Sequence, residues 1–235
     1  MSRYFFGYYY DPTYILVIIG LVLCLGASAM VKSTYRKYSE VYPSRHMTGA
    51  ETAYMILRNA GVTDVRIEQV NGDLTDHYDP RDKVLRLSRL TYNTSSVAAI
   101  GVAAHEAGHA IQHDVGYFPL KLRNTILPAA NLGSKLGVPL VIIGLILGLG
   151  DTLINIGILL FAFAVLFQVV TLPVEFNASK RAVRMLENYG ILYGDELSGC
   201  KRVLTAAAMT YVAAAASSAL QLLRLVILGG RRRRD

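Results

Sequence analysis

The chain has no tryptophan and only two cysteines in 235 residues, and charged residues make up only 17% of it. Cys24 and Cys200 are far apart and Cys24 lies inside an apolar run, which excludes a disulfide framework and a C-x-x-C metal site. Acidic residues are scarce beside basic ones, 17 against 24. The basic excess gathers next to apolar segments and at the C-terminus, with no aromatic and basic interleaving, so nucleic-acid binding is excluded as the reading of this charge. What the chain has instead is apolar sequence: 53% hydrophobic residues and a mean hydropathy of +0.35. That composition predicts a mainly α membrane protein with a small soluble α+β part.

The long uncharged runs set the expected spans. Residues 12–31 carry no charge over 20 positions, about 30 Å as a helix and enough to cross a bilayer. The aromatic run before it, residues 3–11, suits a membrane interface. A cleaved signal peptide is the rival, since Ala27-Ser28-Ala29 resembles a cleavage site. Lys32, Arg36 and Lys37 after the run favour an uncleaved anchor with its C-terminal side in the cytoplasm. A second apolar region reads as a hairpin, with Lys135 the one charge between Thr125 and Gly150 and none from Thr152 to Val174. Its turn is expected at Gly148 to Asp151, and Pro128 and Pro139 are expected to kink the first arm. The last uncharged segment, Val203 to Leu223, carries Thr210, Ser217 and Gln221 near one face, which Arg224 just beyond it shares. A fourth crossing would put Arg231 to Arg234 outside. The positive-inside rule therefore favours three crossings, with the last segment lying in the interface.

The soluble part spans residues 32–125. Thr48 with Glu51 three residues on predicts a capped helix over Thr48 to Asn59, stopped by Gly61. Val65 to Val70 alternates as a strand before the turn pair Asn71-Gly72. A second extended pair follows, bent at Pro80-Arg81-Asp82, with Lys83 to Ser88 alternating. Thr91 to Ser96 is expected to be a polar loop offering a cap for the next helix. The edge of this small sheet suits an extended peptide, or simply packs on the helix that follows.

That helix carries the chemistry. Val97 to His113 is alanine-rich and free of proline, and contains His105-Glu106-Ala107-Gly108-His109. Residues four apart share a helix face, so His105 and His109 can present both imidazoles to one metal ion. Glu106 lies one step round, within reach of the open coordination position. This is the H-E-x-x-H arrangement of zinc peptidases, with the glutamate as general base. The uncharged lead-in before His105 is too short to span, which counts against a site inside a transmembrane helix.

A catalytic zinc needs a third protein ligand. His113 is eight residues past His105, a rise of about 12 Å, too far for one tetrahedral ion. The metzincin third histidine is absent, with Asp114 and Val115 in its region. His77 and His46 are weaker choices. Glu175 follows an uncharged span, where an acid is costly unless partnered. It reads equally as a ligand or as a helix-start glutamate after Pro173. For a donor to the developing oxyanion, Arg181, Arg184, His113 and Tyr211 all remain open.

HEAGHAIQH, the apolar hairpin, LPVEFNASKRA and the Ala-rich helix before QLLRL together resemble the YugP-like family of bacterial membrane zinc metallopeptidases. The resemblance covers nearly the whole chain and extends to the wider gluzincin membrane proteases of the HtpX and CAAX-prenyl-protease kind. It implies Zn2+ held by His105, His109 and Glu175, with Glu106 as base and acid. The fold it implies is a zincin-like catalytic part, its H-E-x-x-H helix beside a short sheet, with three to four transmembrane helices. Five segments are expected: a membrane anchor (1–31), the catalytic part (32–125), a transmembrane hairpin (126–174), a helix bearing the third ligand (175–202) and an apolar helix with a basic tail (203–235). One departure stands out: Ser179 occupies the place of an aspartate usual in the wider group, so Asn177 or Ser179 is left to orient a ligand. The expected activity is peptide hydrolysis by a zinc-activated water. The substrate would be a protein or peptide, membrane proteins included, met at the cytoplasmic face of the bacterial cell membrane. The competing expectation is a non-catalytic membrane scaffold with a structural or vestigial metal site.

Overall fold

The computed structural model describes residues 11–147 and 151–232. The aromatic run before residue 11, the expected turn at 148–150 and the last residues of the basic tail lie outside this range. Seven helices and three strands follow in the order α1 (Tyr14–Ser39), α2 (Gly49–Asn59), β1 (Arg66–Val70), β2 (His77–Asp79), β3 (Val84–Ser88), α3 (Arg89–Tyr92), α4 (Val97–Asp114), α5 (Phe118–Leu147), α6 (Asp151–Asn188) and α7 (Gly194–Arg232). Four of these helices, α1, α5, α6 and α7, are long and apolar enough to cross a membrane.

Local signals explain much of this. Thr48 Oγ1 accepts from Glu51 N–H at 3.2 Å while Glu51 Oε2 accepts from Thr48 N–H at 2.8 Å, so the capping box that starts α2 is closed in both directions. Gly61, at φ +80°, ends that helix where a side chain would be strained. Ser96 caps α4 by accepting from Ala99 N–H at 3.2 Å. The stretch expected as one polar loop before it is partly helical, since α3 takes in Thr91 and Tyr92.

The sheet runs β1-β3-β2, with β1 parallel to β3 and β2 antiparallel to it. After Asn71-Gly72 the chain does not fold back on β1. It swings to the far edge and returns through the Pro80 bend as the β2–β3 hairpin. Arg86 fixes that bend, reaching Asp79 at 2.8 Å and Asp82 at 2.9 Å. β2 is therefore an edge strand.

α4 lies at the centre of the core. Ile100, Ala103, Ala104 and Ala107 share a cluster with Ile56 of α2, Leu85 and Leu87 of β3, Leu186 of α6 and Leu204 of α7. Each fully buried Leu or Ile contributes about 1.5–3 kcal/mol relative to exposure, so this cluster anchors the soluble layer on the long helices. Small residues set the close approach. A Cβ on Gly108 would fall 2.8 Å from the Ala178 carbonyl oxygen, so α4 and α6 touch backbone to backbone there.

α6 is unbroken through Pro173, and α7 is unbroken across residues 202–203, so the expected segment boundaries there fall inside single helices. α5 begins at Phe118, eight residues before the expected hairpin. α5 and α6 pack closely, with Gly137 and Gly157 facing each other. α7 runs antiparallel to α1: Gly20 meets Ser217, Gly199 meets Tyr38, and Arg224 pairs with Asp11 at 3.3 Å. α7 thus packs along α1 and, like it, is long and apolar enough to cross a membrane. The preference for three crossings is corrected to four candidate crossings. The charge rule that disfavoured the fourth is local, and the pairing that outweighs it joins segments about two hundred residues apart.

Candidate metal centre

Because α4 is helical through the motif, His105 and His109 stand one turn apart and their rings meet edge to face, with centroids 4.7 Å apart. The Gly108–Ala178 contact brings α6 against them, and Glu175 enters between the rings. Its Oε2 lies 3.2 Å from His105 Nε2 and 3.6 Å from His109 Nε2. Donor atoms of the three residues all lie within 4.8 Å of one another, and Glu175 is only 3% exposed. The helix-start reading of Glu175 is excluded, since it sits well inside α6.

The groups behind the imidazoles fix which nitrogen faces forward. Arg181 can only donate, and its Nε–H goes to Asn177 Oδ1 at 2.8 Å. Gln112 Nε2 also donates to Asn177 Oδ1, at 3.0 Å, and to the Val174 carbonyl at 2.8 Å. Gln112 Oε1 is thereby left as the acceptor facing His109 Nδ1, 3.0 Å away. A proton therefore belongs on His109 Nδ1, and its Nε2 is turned toward Glu175. On the other imidazole, Ser179 Oγ lies 3.1 Å from His105 Nδ1, which again turns Nε2 toward Glu175. Two imidazole nitrogens and a carboxylate converge on one point and could hold a cation between them. The donor set is of the borderline kind that zinc takes. With no metal, burial opposes an imidazolium at His109. The carboxylates of Glu175 and Glu106 outweigh that cost and hold His109 above the usual histidine range.

Gln112 escaped the sequence reading, although its spacing three residues past His109 was a usable signal. A Gln112→Leu variant should keep the fold but bind zinc about 10–100-fold more weakly, since it releases the His109 ring. Competition against a metallochromic chelator measures this, and unchanged affinity would count against the Arg181–Asn177–Gln112 chain.

Two cavities flank the three donors. The larger, about 590 Å3, runs beneath the edge strand β2 and is lined by Asp79, His113, Arg123 and Tyr211. The smaller, about 150 Å3, lies between α4 and α7. Asp76, Glu106, Glu175 and Tyr211 line both. Of the four oxyanion-donor choices, Tyr211 and His113 face the larger cavity. Arg181 is committed to Asn177, and Arg184 lines a separate groove. Arg123 was not foreseen; its Nη1 sits 3.9 Å from Glu175 Oε1. His113 stands outside the ligand group and shares a 2.9 Å hydrogen bond with Tyr78 Oη. Burial and the nearby charges of Asp64, Asp79 and Asp114 push the Tyr78 phenol up to about 12, so it keeps its proton at neutral pH. His77 Nδ1 is 2.8 Å from the Thr75 carbonyl, and His46 lines another cavity beside Met47 and Tyr54.

The family described as "Putative neutral zinc metallopeptidase" matches residues 13–229. The chain belongs to that family. It is 49% identical over 199 residues to "Putative membrane protease YugP" of Bacillus subtilis (strain 168), a match covering 85% of this chain and 88% of that protein. No solved structure matches the chain. Membership agrees with the four apolar helices and with the donor set of two histidines and a glutamate.

Proposed function

We propose that the protein is a membrane-bound zinc metalloendopeptidase, with a zincin-like catalytic part resting on four membrane helices. The observation that carries this reading is the convergence of His105, His109 and Glu175 beside Glu106, on a site flanked by two cavities. His105 Nε2, His109 Nε2 and a Glu175 oxygen would hold the ion, leaving a fourth position for water. When bound, zinc supplies Lewis acidity, which makes water nucleophilic near neutral pH and polarises the scissile carbonyl.

The remaining work falls to the chain. Glu106, within reach of that fourth position, takes the proton of the attacking water and returns it to the leaving amine. Arg123 and Tyr211, lining the same cavity, are the donors available to the developing oxyanion. The free edge of β2 offers main-chain N–H and C=O groups to an extended substrate. Seating the donors among buried side chains keeps bulk water out and strengthens each of these interactions.

A structural zinc site is closed by four protein ligands. Three donors beside open space favour catalysis over the scaffold reading. The basic residues Lys32, Arg36, Lys37, Lys180, Arg181 and Arg184 gather at one end of the long helices, which supports a site facing the cytoplasm. The test is cleavage of an unfolded protein by the purified chain in detergent micelles. Chelation should abolish cleavage and added zinc should restore it. Cleavage that survives exhaustive chelation would contradict the proposal.

A further inference from the structure

The two cavities that meet at Glu106, Glu175 and Tyr211 differ in chemistry. The larger is walled mainly by polar and charged residues, among them His77, Asp79, Arg81, Arg123 and Asn124, with Pro80, Leu120 and Leu127 completing it. The smaller, about 150 Å3, is walled mainly by Val102 of α4, by Val203, Leu204, Ala207 and Ala208 of α7, and by Leu74 from the β1–β2 loop, with Asp76, His105 and Ser179 as its other polar members. Val102 stands one helical turn before Glu106, and Ala207 one turn before Tyr211, so both flank the reacting position. Leu74 has φ +56° and is 51% exposed. A bulky residue in the left-handed region is a strained outlier. Here the strain holds an apolar side chain at the rim of the notch.

The depth of the notch in the helix bundle adds a second observation. The α1–α7 register, set by Gly20 against Ser217 and Tyr38 against Gly199, puts Tyr211 level with about Gly26. That level lies within the uncharged run of α1. Tyr211, which both cavities share, thus sits level with the uncharged run of α1, and by the same register the notch wall from Ala208 to Val203 runs from there toward about Thr34, at the charged end of that helix.

On the proteolytic reading above, we propose that the two cavities are the two halves of one substrate groove. The notch selects a small aliphatic side chain on one side of the scissile bond, and Ala207 and Val102 set its size. The substrate class is a peptide with a small aliphatic side chain on the notch side of the cleaved bond.

The test uses the zinc-loaded full chain in detergent micelles and a peptide library varied on both sides of the cleaved bond, with products read by mass spectrometry. Wild type should prefer Ala or Val on one side and tolerate polar residues on the other. Ala207→Leu should lose at least tenfold in kcat/KM for Val peptides and stay within twofold for Gly peptides, at unchanged zinc content. Val102→Ala should shift the preference toward Leu and Met. In a Glu106→Gln background, fluorescence anisotropy should show the same selective loss of Val-peptide binding with Ala207→Leu, without turnover. An unchanged profile in both zinc-containing variants, or a wild type indifferent to side-chain size on both sides, would overturn the notch. A zinc-loaded wild type that binds and cleaves no peptide would overturn the proteolytic reading itself.

Discussion

Glu106→Gln is expected to lower peptide hydrolysis by about 10²–10⁴-fold, the usual contribution of a positioned general base, while zinc content stays unchanged. The physical argument separates two roles that sit one residue apart. His105 and His109 supply donor atoms, and Glu106 stands outside that group while lining both cavities. Glutamine keeps the shape of glutamate and a carbonyl that can orient water, but it cannot take the proton. The loss should therefore fall on kcat, with peptide affinity preserved. His105→Ala should instead lose zinc and hydrolysis together. Undiminished cleavage by a pure Glu106→Gln preparation would sink the assignment.

The second large effect is expected at Glu175. Its carboxylate is almost wholly buried, against two imidazole nitrogens and within 3.9 Å of Arg123. Burial of an acid on a membrane helix is costly unless a cation offsets it, and this geometry offers a metal ion in addition to the arginine. Glu175→Ala leaves two histidines on one helix, a set too small to retain zinc through dialysis. Ser179 and Gln112 would still orient the rings, so the loss would mark a missing ligand and leave the scaffold intact. Near-UV circular dichroism comparable to wild type would show that the helices remain packed.

Much of this was legible because its signals are local. The capping box at Thr48, the extended run of β3, the Gly61 stop and the H-E-x-x-H helix all depend on residues within one or two turns. The elements that were not legible depend on distant partners. The acceptors that fix Gln112, the Val174 carbonyl and Asn177, lie more than sixty residues away. The α1–α7 pairing joins the two ends of the chain. The crossing from β1 to the far edge left no local mark beyond Asn71-Gly72, which signals a turn without saying where the next strand pairs. Arg123 sits on a stretch whose charge pattern resembles any helix start near a membrane, and the cavity around it exists only once α5, α6 and α7 have packed. Glu175 was ambiguous for the same reason. Its neighbours in sequence suggest a helix start, and its neighbours in space are the two histidines.

The three-donor centre is tested most directly by metal analysis of the wild-type chain beside Glu175→Ala, purified identically and dialysed against metal-free buffer. About one zinc per chain in the wild type, with a large loss in the variant, is the expected result. Full zinc retention by Glu175→Ala would contradict the account and remove Glu175 from the ligand set.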